Sequence, residues 1–299
     1  MTGELRMGGN LGGKPTDKDV MEALHASGYL MEQEVATELE RLGYFVQTNK
    51  PFEDVDEHKS REIDVWATHR FHRDEVNRIA VSVELYCECK NNDNPFVFIG
   101  RRKGEIDKRF RPSHYNLARN SYDLTCNQMT RTFDAFTYLG LRDSHYYYRQ
   151  DWKAVQFCKM VRQNQKWQAN HDGIYDAMFY PLAKALVARG AEFAGSHASD
   201  WCYFRLLCPI VVLRGDILYV DSMHSSPCPQ NVPHISFTRE LMSKSVNGHY
   251  LVDFVRQGHL ASFITTTIVP FVDAIIALAN VNPSLIREPR VGVAQFPDG

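Results

Sequence analysis

The stretch Val81-Ser82-Val83-Glu84-Leu85-Tyr86-Cys87-Glu88-Cys89-Lys90 limits the folds open to this chain more than any other. Its apolar, β-branched beginning calls for a buried strand. Strand alternation puts Glu84, Tyr86, Glu88 and Lys90 on one face and Val83, Leu85, Cys87 and Cys89 on the other. The end of the stretch therefore sets a carboxylate and an ammonium group side by side, roughly 6.6 Å apart along the backbone. Charges at the end of a buried strand are costly to desolvate unless a partner or a metal compensates. Glu-x-Lys is a common tripeptide, and a solvated ion pair accounts for it when it stands alone. The residues upstream give it weight.

Thr16, with Asp19 three residues on, opens a helix that ends near Ser27, and Gly28 breaks it. A second helix spans residues 29–42, closed by Gly43. Its apolar stripe of Val35, Ala36 and Leu39 continues back by three and four residues onto Glu32, which places Glu32 inward. Glu34 lies on the polar face with Thr37, Glu38 and Arg41. A strand at 44–48 follows. The acidic stretch 49–60 is expected to be a solvated loop, because Glu53, Asp54, Asp56 and Glu57 lack the glycine and spacing of a calcium loop. A second strand, 61–68, sets Ile63, Val65 and Ala67 against Glu62, Asp64 and Trp66. With a polar turn at 69–77, it and the strand 81–90 should be antiparallel neighbours. If residue 70 faces residue 79, Asp64 faces residue 85. A slip of two or three residues, or a bulge, carries it to Glu88.

The remaining segments are less specific. Residues 100–119 are basic: Arg101, Arg102, Lys103, Lys108, Arg109, Arg111 and Arg119 outnumber Glu105 and Asp107. Net charge is only −2, so any nucleic-acid surface has to be local, and this segment is the candidate. A solvated charged loop accounts for its composition equally well. Residues 123–139 are expected to be helical, with Met129, Phe133 and Phe136 inward, and 152–167 is ambiguous between helix and strand. A helix is expected at 172–189, kinked at Pro181 and stopped by Gly190. Strands at 203–213 and 217–220 flank Arg214-Gly215-Asp216 as a hairpin, with further strands at 235–238 and 250–255. The apolar run 260–281 carries Pro270, Asp273 and three consecutive threonines, which favours a core helix over a membrane span. Seven cysteines at irregular spacings and a polar, glycine-rich start without a signal peptide point to reduced thiols and a cytoplasmic location. Residues 1–15 are expected to be disordered and 282–299 to form a tail. Between them lies one domain, 16–281, with 91–199 as a helical insertion.

A helix with an inward Glu, then a strand, then an Asp-bearing strand paired with a Glu-x-Lys strand, resembles the PD-(D/E)xK nuclease superfamily. The pieces are Glu32 in YLMEQEVATELERLGYFV, Asp64 in REIDVWA, and Glu88 with Lys90 in ELYCECK. The helix and its Gly43-Tyr44 ending look most like type IV restriction endonucleases and related defence or repair nucleases. The resemblance covers about residues 28–92, and Ile63 stands where the family's motif has Pro, a departure that many members share. It implies an α/β fold of mixed α+β sheet. A restriction endonuclease-like core would carry the helical insertion and a C-terminal extension of strands and helix. It also implies a metal-dependent nuclease with Mg2+ or Mn2+ held by Asp64, Glu88 and the backbone carbonyl of Cys89. Glu32 would complete a second metal site or orient a metal-bound water. Lys90 would hold and help deprotonate the attacking water, or neutralise developing charge. Asn91, Asn92, Arg101, Arg102, Lys103, Lys108, Arg109 and Arg111 would contact nucleic acid. DNA is expected by the family's majority habit, with no membrane, and with a homodimer or a defence-system partner compatible. The alternative is the same fold used only to bind nucleic acid; the presence of all four expected side chains weighs against it. A zinc or iron–sulfur site would draw on Cys202, Cys208, His224, Cys228 and His234, but no Cys-x-x-Cys pair occurs.

Overall fold

The computed structural model describes residues 14–54, 56–107, 112, 114–126, 128–194 and 200–287. Residues 1–13 and 288–299, on which the expectations for the two tails mostly fall, lie outside it. Two helices come first, α1 (Asp17–Ser27) and α2 (Tyr29–Arg41). Thr16 and Asp19 cap α1 reciprocally: each side chain accepts the other's amide. Gly28 joins the helices at φ 88°, a conformation costly to any residue with a Cβ. α2 buries Met31, Val35, Ala36 and Leu39, the stripe read from its sequence, extended by Met31.

The next elements are β1 (Phe45–Asp54), β2 (Lys59–Asp74), β3 (Ile79–Lys90), β4 (Phe96–Arg102), β5 (Ser121–Cys126), β6 (Met129–Asp134), α3 (Ala135–Tyr138) and α4 (Tyr146–Arg149). β7 (Trp152–Gln163), β8 (Lys166–Asn170), α5 (Ile174–Ala194), β9 (Cys202–Leu213), β10 (Ile217–Asp221), β11 (Gln230–Val232), β12 (His234–Met242) and β13 (Asn247–Arg256) follow. The last helices are α6 (Leu260–Phe263), α7 (Val269–Val281) and α8 (Pro283–Arg287). A π turn, Ile264–Ile268, makes α6 and α7 continuous.

The architecture is mixed α and β around one large mixed sheet. Its strand order among the described residues is β1-β2-β3-β9-β13-β12-β7-β4-β10-β11, with β8 on β7. β1, β2 and β3 run antiparallel to one another in turn, whereas β9 runs parallel to β3 along its whole length. β9 is almost continuously apolar because both of its faces are covered. On one side α2 and the α6–α7 helix close a core with Val65, Val83, Leu85 and Cys87. On the other, α5 closes a second core with Trp66, Tyr86 and Leu207. Gln257–Val281 is long and apolar enough by length and composition to cross a bilayer. Here Phe263, Ile264, Ile268, Phe271, Val272 and Ile275 are buried in the first core, while Ser262, Thr265, Thr266 and Asp273 face outward.

Several sequence expectations are corrected. Residues 49–54 and 59–60 are strand, not loop, because the ladder continues from Lys50↔Ile63 to Asp54↔Lys59. β1 is an edge strand with alternating exposure, and such a strand reads like a loop in sequence. Asp54 is fully buried, held by Lys184 Nζ at 2.7 Å and by Arg61. Residues 121–126 and 129–134 pair as the β5–β6 hairpin rather than forming a helix. Thr125 faces Thr130, Thr132 bonds Asp123, and Met129 is exposed; only Phe136 lies in the core as expected. Among its described residues the segment 91–199 is thus mixed, with β4–β8 beside α3, α4 and α5, rather than helical throughout, and 152–163 is strand. α5 runs through both Pro181 and Gly190 to Ala194. β9 and β10 are not a hairpin: β10 pairs with β4 and β11. Residues 283–287 are a helix with Ile286 buried, so the tail begins later than expected.

Candidate active site

The β2–β3 register decides which side chains meet. Ile79 faces Asp74, and a bulge between Arg70 and His72 shifts the pairing by one residue, so the ladder ends at Val65↔Cys87. The next positions, Asp64 and Glu88, come together as the strands part. In place of a further ladder bond, the Cys89 amide donates to Asp64 Oδ2 at 2.7 Å. On the other flank the β1–β2 ladder skips the Asn49–Asp64 pair, and Asn49 takes φ 51°, a left-handed conformation Asn tolerates. Backbone irregularity on both sides of Asp64 thus leaves its carboxylate, rather than its main chain, to meet β3.

Glu88 is buried at 8% exposure, and its Oε1 accepts from Lys90 Nζ at 2.6 Å. Burial first, then the charge of Asp64, push the Glu88 carboxyl up to about 7, although Lys90 pulls it down and Glu32 adds to the push. Asp64 is also raised, chiefly by burial, against the Cys89 amide and Lys90. Glu32, half-buried in the first turn of α2, is raised by burial and then by Asp64. Three carboxyl groups from three elements therefore share one field with a single ammonium group. That arrangement retains protons or recruits a cation.

Among the described residues no group of three or more His, Cys, Asp or Glu side chains is placed to hold a metal ion by itself. The donor chemistry fits a less enclosed ion. Asp64, Glu88 and the Cys89 carbonyl are all oxygen donors, and magnesium characteristically keeps several waters. Glu84, on the same face of β3, shows the opposite situation. Buried at 3%, it is satisfied by Arg189 Nε and Nη2 at 2.9 and 2.8 Å, by Trp66 Nε1 and by the Tyr86 hydroxyl. It is a structural ion pair.

The expected nucleic-acid contacts divide. Asn91 braces the protein: its Nδ2 donates to the His25 carbonyl, and its Oδ1 accepts from Arg214 Nη1 at 2.7 Å. Asn92 has a buried side-chain oxygen without a partner among the described residues, and its backbone N–H donates to the Lys90 carbonyl. Arg101 and Arg102 are exposed on β4, five strands from β3 and so about 24 Å across the sheet. Lys103 is corrected: it is buried, donating to the carbonyls of Tyr147 and Gln150 and lying 3.8 Å over the Tyr147 ring. Lys108, Arg109 and Arg111 lie outside the described residues. Cys87 and Cys89 pack in the core as expected, and Cys202, Cys208, His224, Cys228 and His234 form no metal cluster among the described residues.

Sequence reading missed Arg214. It ends the parallel strand beside β3, its amide donates to the Lys90 carbonyl at 3.3 Å, and its guanidinium stands at Asn91. The available signal was topological, since the carboxyl ends of adjacent parallel strands meet at one place. Gly215 makes the close approach possible: a Cβ there would lie 2.8 Å from the Asn94 carbonyl oxygen. Comparison with family models, with curated proteins and with solved structures gives no match to this chain.

Proposed function

We propose that this protein is a metal-dependent nuclease that hydrolyses phosphodiester bonds, with DNA as substrate, and that α2, β1, β2, β3, α5 and β9 constitute a restriction endonuclease-like core. The supporting topology is a helix, three antiparallel strands, a helix on the opposite face and a strand parallel to the third. The single observation that carries the activity is the meeting of Asp64, Glu88 and Lys90 where β2 and β3 part.

In this reading Asp64, Glu88 and the Cys89 carbonyl would hold Mg2+ or Mn2+, and Glu32, beside them on α2, would orient a water. A bound divalent ion supplies Lewis-acid stabilisation of the phosphate and a more acidic water. Lys90 Nζ, which stands against Glu88 Oε1, would donate to a phosphate oxygen and neutralise charge in the transition state. Arg214 spends one N–H on Asn91 and offers its others to the phosphate backbone. Incubation of the protein with supercoiled DNA, linear DNA and RNA, with magnesium or manganese and with a chelator control, tests the proposal. Metal-dependent cleavage of at least one substrate supports it. Binding without cleavage of any of them favours the non-catalytic alternative.

A further inference from the structure

A ladder of alternating guanidinium groups and rings stands at the opposite end of β9. Arg73 Cζ lies 4.1 Å over the Trp201 ring, and Trp201 and Tyr203 stack at 6.1 Å with 25° between planes. Arg205 Cζ then lies 4.3 Å from the Tyr203 ring and 4.1 Å from that of Phe193. Positions 201, 203 and 205 alternate along the chain, so strand geometry itself brings them to one face. Beside the ladder is a cleft of about 480 Å³, also lined by Arg119 and Arg287, within the size range of small-ligand sites.

Among the described residues the charges that line this cleft are unbalanced. Its one lining carboxylate, Asp200, is already paired with Arg78. Arg119 gives one N–H to the Arg287 carbonyl, and Arg287 gives one to the Asn77 carbonyl; each guanidinium has further donors. Arg205 is half-buried; among the described residues its guanidinium lies against rings and makes no hydrogen bond, and the carboxylate whose charge reaches it, Glu84, is already paired with Arg189. Burial pushes its pKa down. A partly desolvated cation without an acceptor is costly, and an anion relieves that cost. Stacked rings and guanidinium planes accept a nucleobase whatever its identity.

We propose that this cleft is a second ligand site, for a phosphorylated nucleoside whose base joins the ladder of planes and whose phosphate is held by Arg205, Arg119 and Arg287. It is remote from the candidate active site. On the β3–β9 ladder Arg205 pairs with Ser82, six residues before Glu88 and eight before Lys90, so the two places are about 20–26 Å apart along the strands. The proposal does not rest on the nuclease reading.

Calorimetry in chelator-containing buffer tests it with four probes: adenosine 5′-monophosphate, adenosine, inorganic phosphate and a 5′-phosphorylated single-stranded DNA decamer. The monophosphate should bind saturably, and adenosine and phosphate each about tenfold or more weakly. Arg205→Gln should weaken monophosphate binding about tenfold, and Lys90→Ala should leave it unchanged. Trp201→Leu serves as a second variant, and melting curves establish that both are folded. A decamer that binds more tightly than the monophosphate, with the same sensitivity to Arg205→Gln, identifies a strand end as the source. A weaker one identifies the free nucleotide. No saturable binding of monophosphate or decamer up to about 10 mM, or binding indifferent to both ladder variants, overturns the proposal, as does binding lost in Lys90→Ala.

Discussion

Glu84 and Glu88 lie on the same face of one strand, and both are buried, yet their surroundings assign them opposite roles. Glu84 has a bidentate arginine and two further donors. Arg189→Ala would leave it buried and unpaired, and should destabilise the protein by about 3–5 kcal/mol, read from denaturant unfolding. Glu88 faces other carboxyl groups. Its carboxyl is raised from 4.5 to about 7, so the native state holds more protons than the unfolded chain across that window. This group's contribution to stability therefore falls as pH rises through it. In chelator, Glu88→Gln should be nearly neutral at about pH 4.5 and stabilising by about 1–3 kcal/mol at pH 8, measured by thermal melts. Destabilisation at pH 8 would contradict the electrostatic picture. A metal must displace that same proton, so magnesium affinity should drop about tenfold between pH 8 and pH 6 in a calorimetric titration. Affinity independent of pH would remove Glu88 from the ligand set.

At the scale of elements, the phase of α2 is the test. Glu32 shares a field with Asp64 and Lys90, whereas exposed Glu34 accepts from Gln257 Nε2 at 2.6 Å and ties α2 to the start of the C-terminal helix. Glu32→Ala should lower cleavage by orders of magnitude, on the order of 10²-fold or more. Glu34→Ala should keep activity and cost at most about 1 kcal/mol. The reverse pattern in paired activity assays would refute the placement. The helix stripe and the Asp64–Glu88 juxtaposition were legible because periodicity specifies a face and a bulge is an ordinary way to shift a register. The bulge's position was not legible, since nothing in Arg70-Phe71-His72 announces it. The β5–β6 hairpin was missed although β5 buries Tyr122, Leu124 and Cys126 in strand alternation, because β6 is largely exposed and its spacing carries no matching record of burial. The β9–β10 hairpin was wrongly expected because Arg214-Gly215-Asp216 has turn chemistry. Its glycine serves a close crossing over residues 92–94 instead.

Across the whole molecule, the sheet sets the distances between functional surfaces. Long-range strand order leaves almost no trace in sequence, so neither the insertion of β13, β12 and β7 between β9 and β4 nor the burial of Lys103 could be foreseen. If β4 touches the phosphate backbone, replacing Arg101 and Arg102 with Ala should flatten the log affinity–log salt slope by roughly 0.9 per lost contact on duplex DNA. Replacing Lys103 should leave that slope alone, because its ammonium is enclosed by carbonyls. The central claim, that Asp64, Glu88 and Lys90 form one catalytic site, is tested most directly by cleavage of the same DNA substrate with magnesium by wild type, Glu88→Gln and Lys90→Ala, each shown to be folded by its melting curve. The predicted result is cleavage by wild type and a loss of about 10²-fold or more in both variants. Undiminished cleavage by folded Glu88→Gln would contradict it.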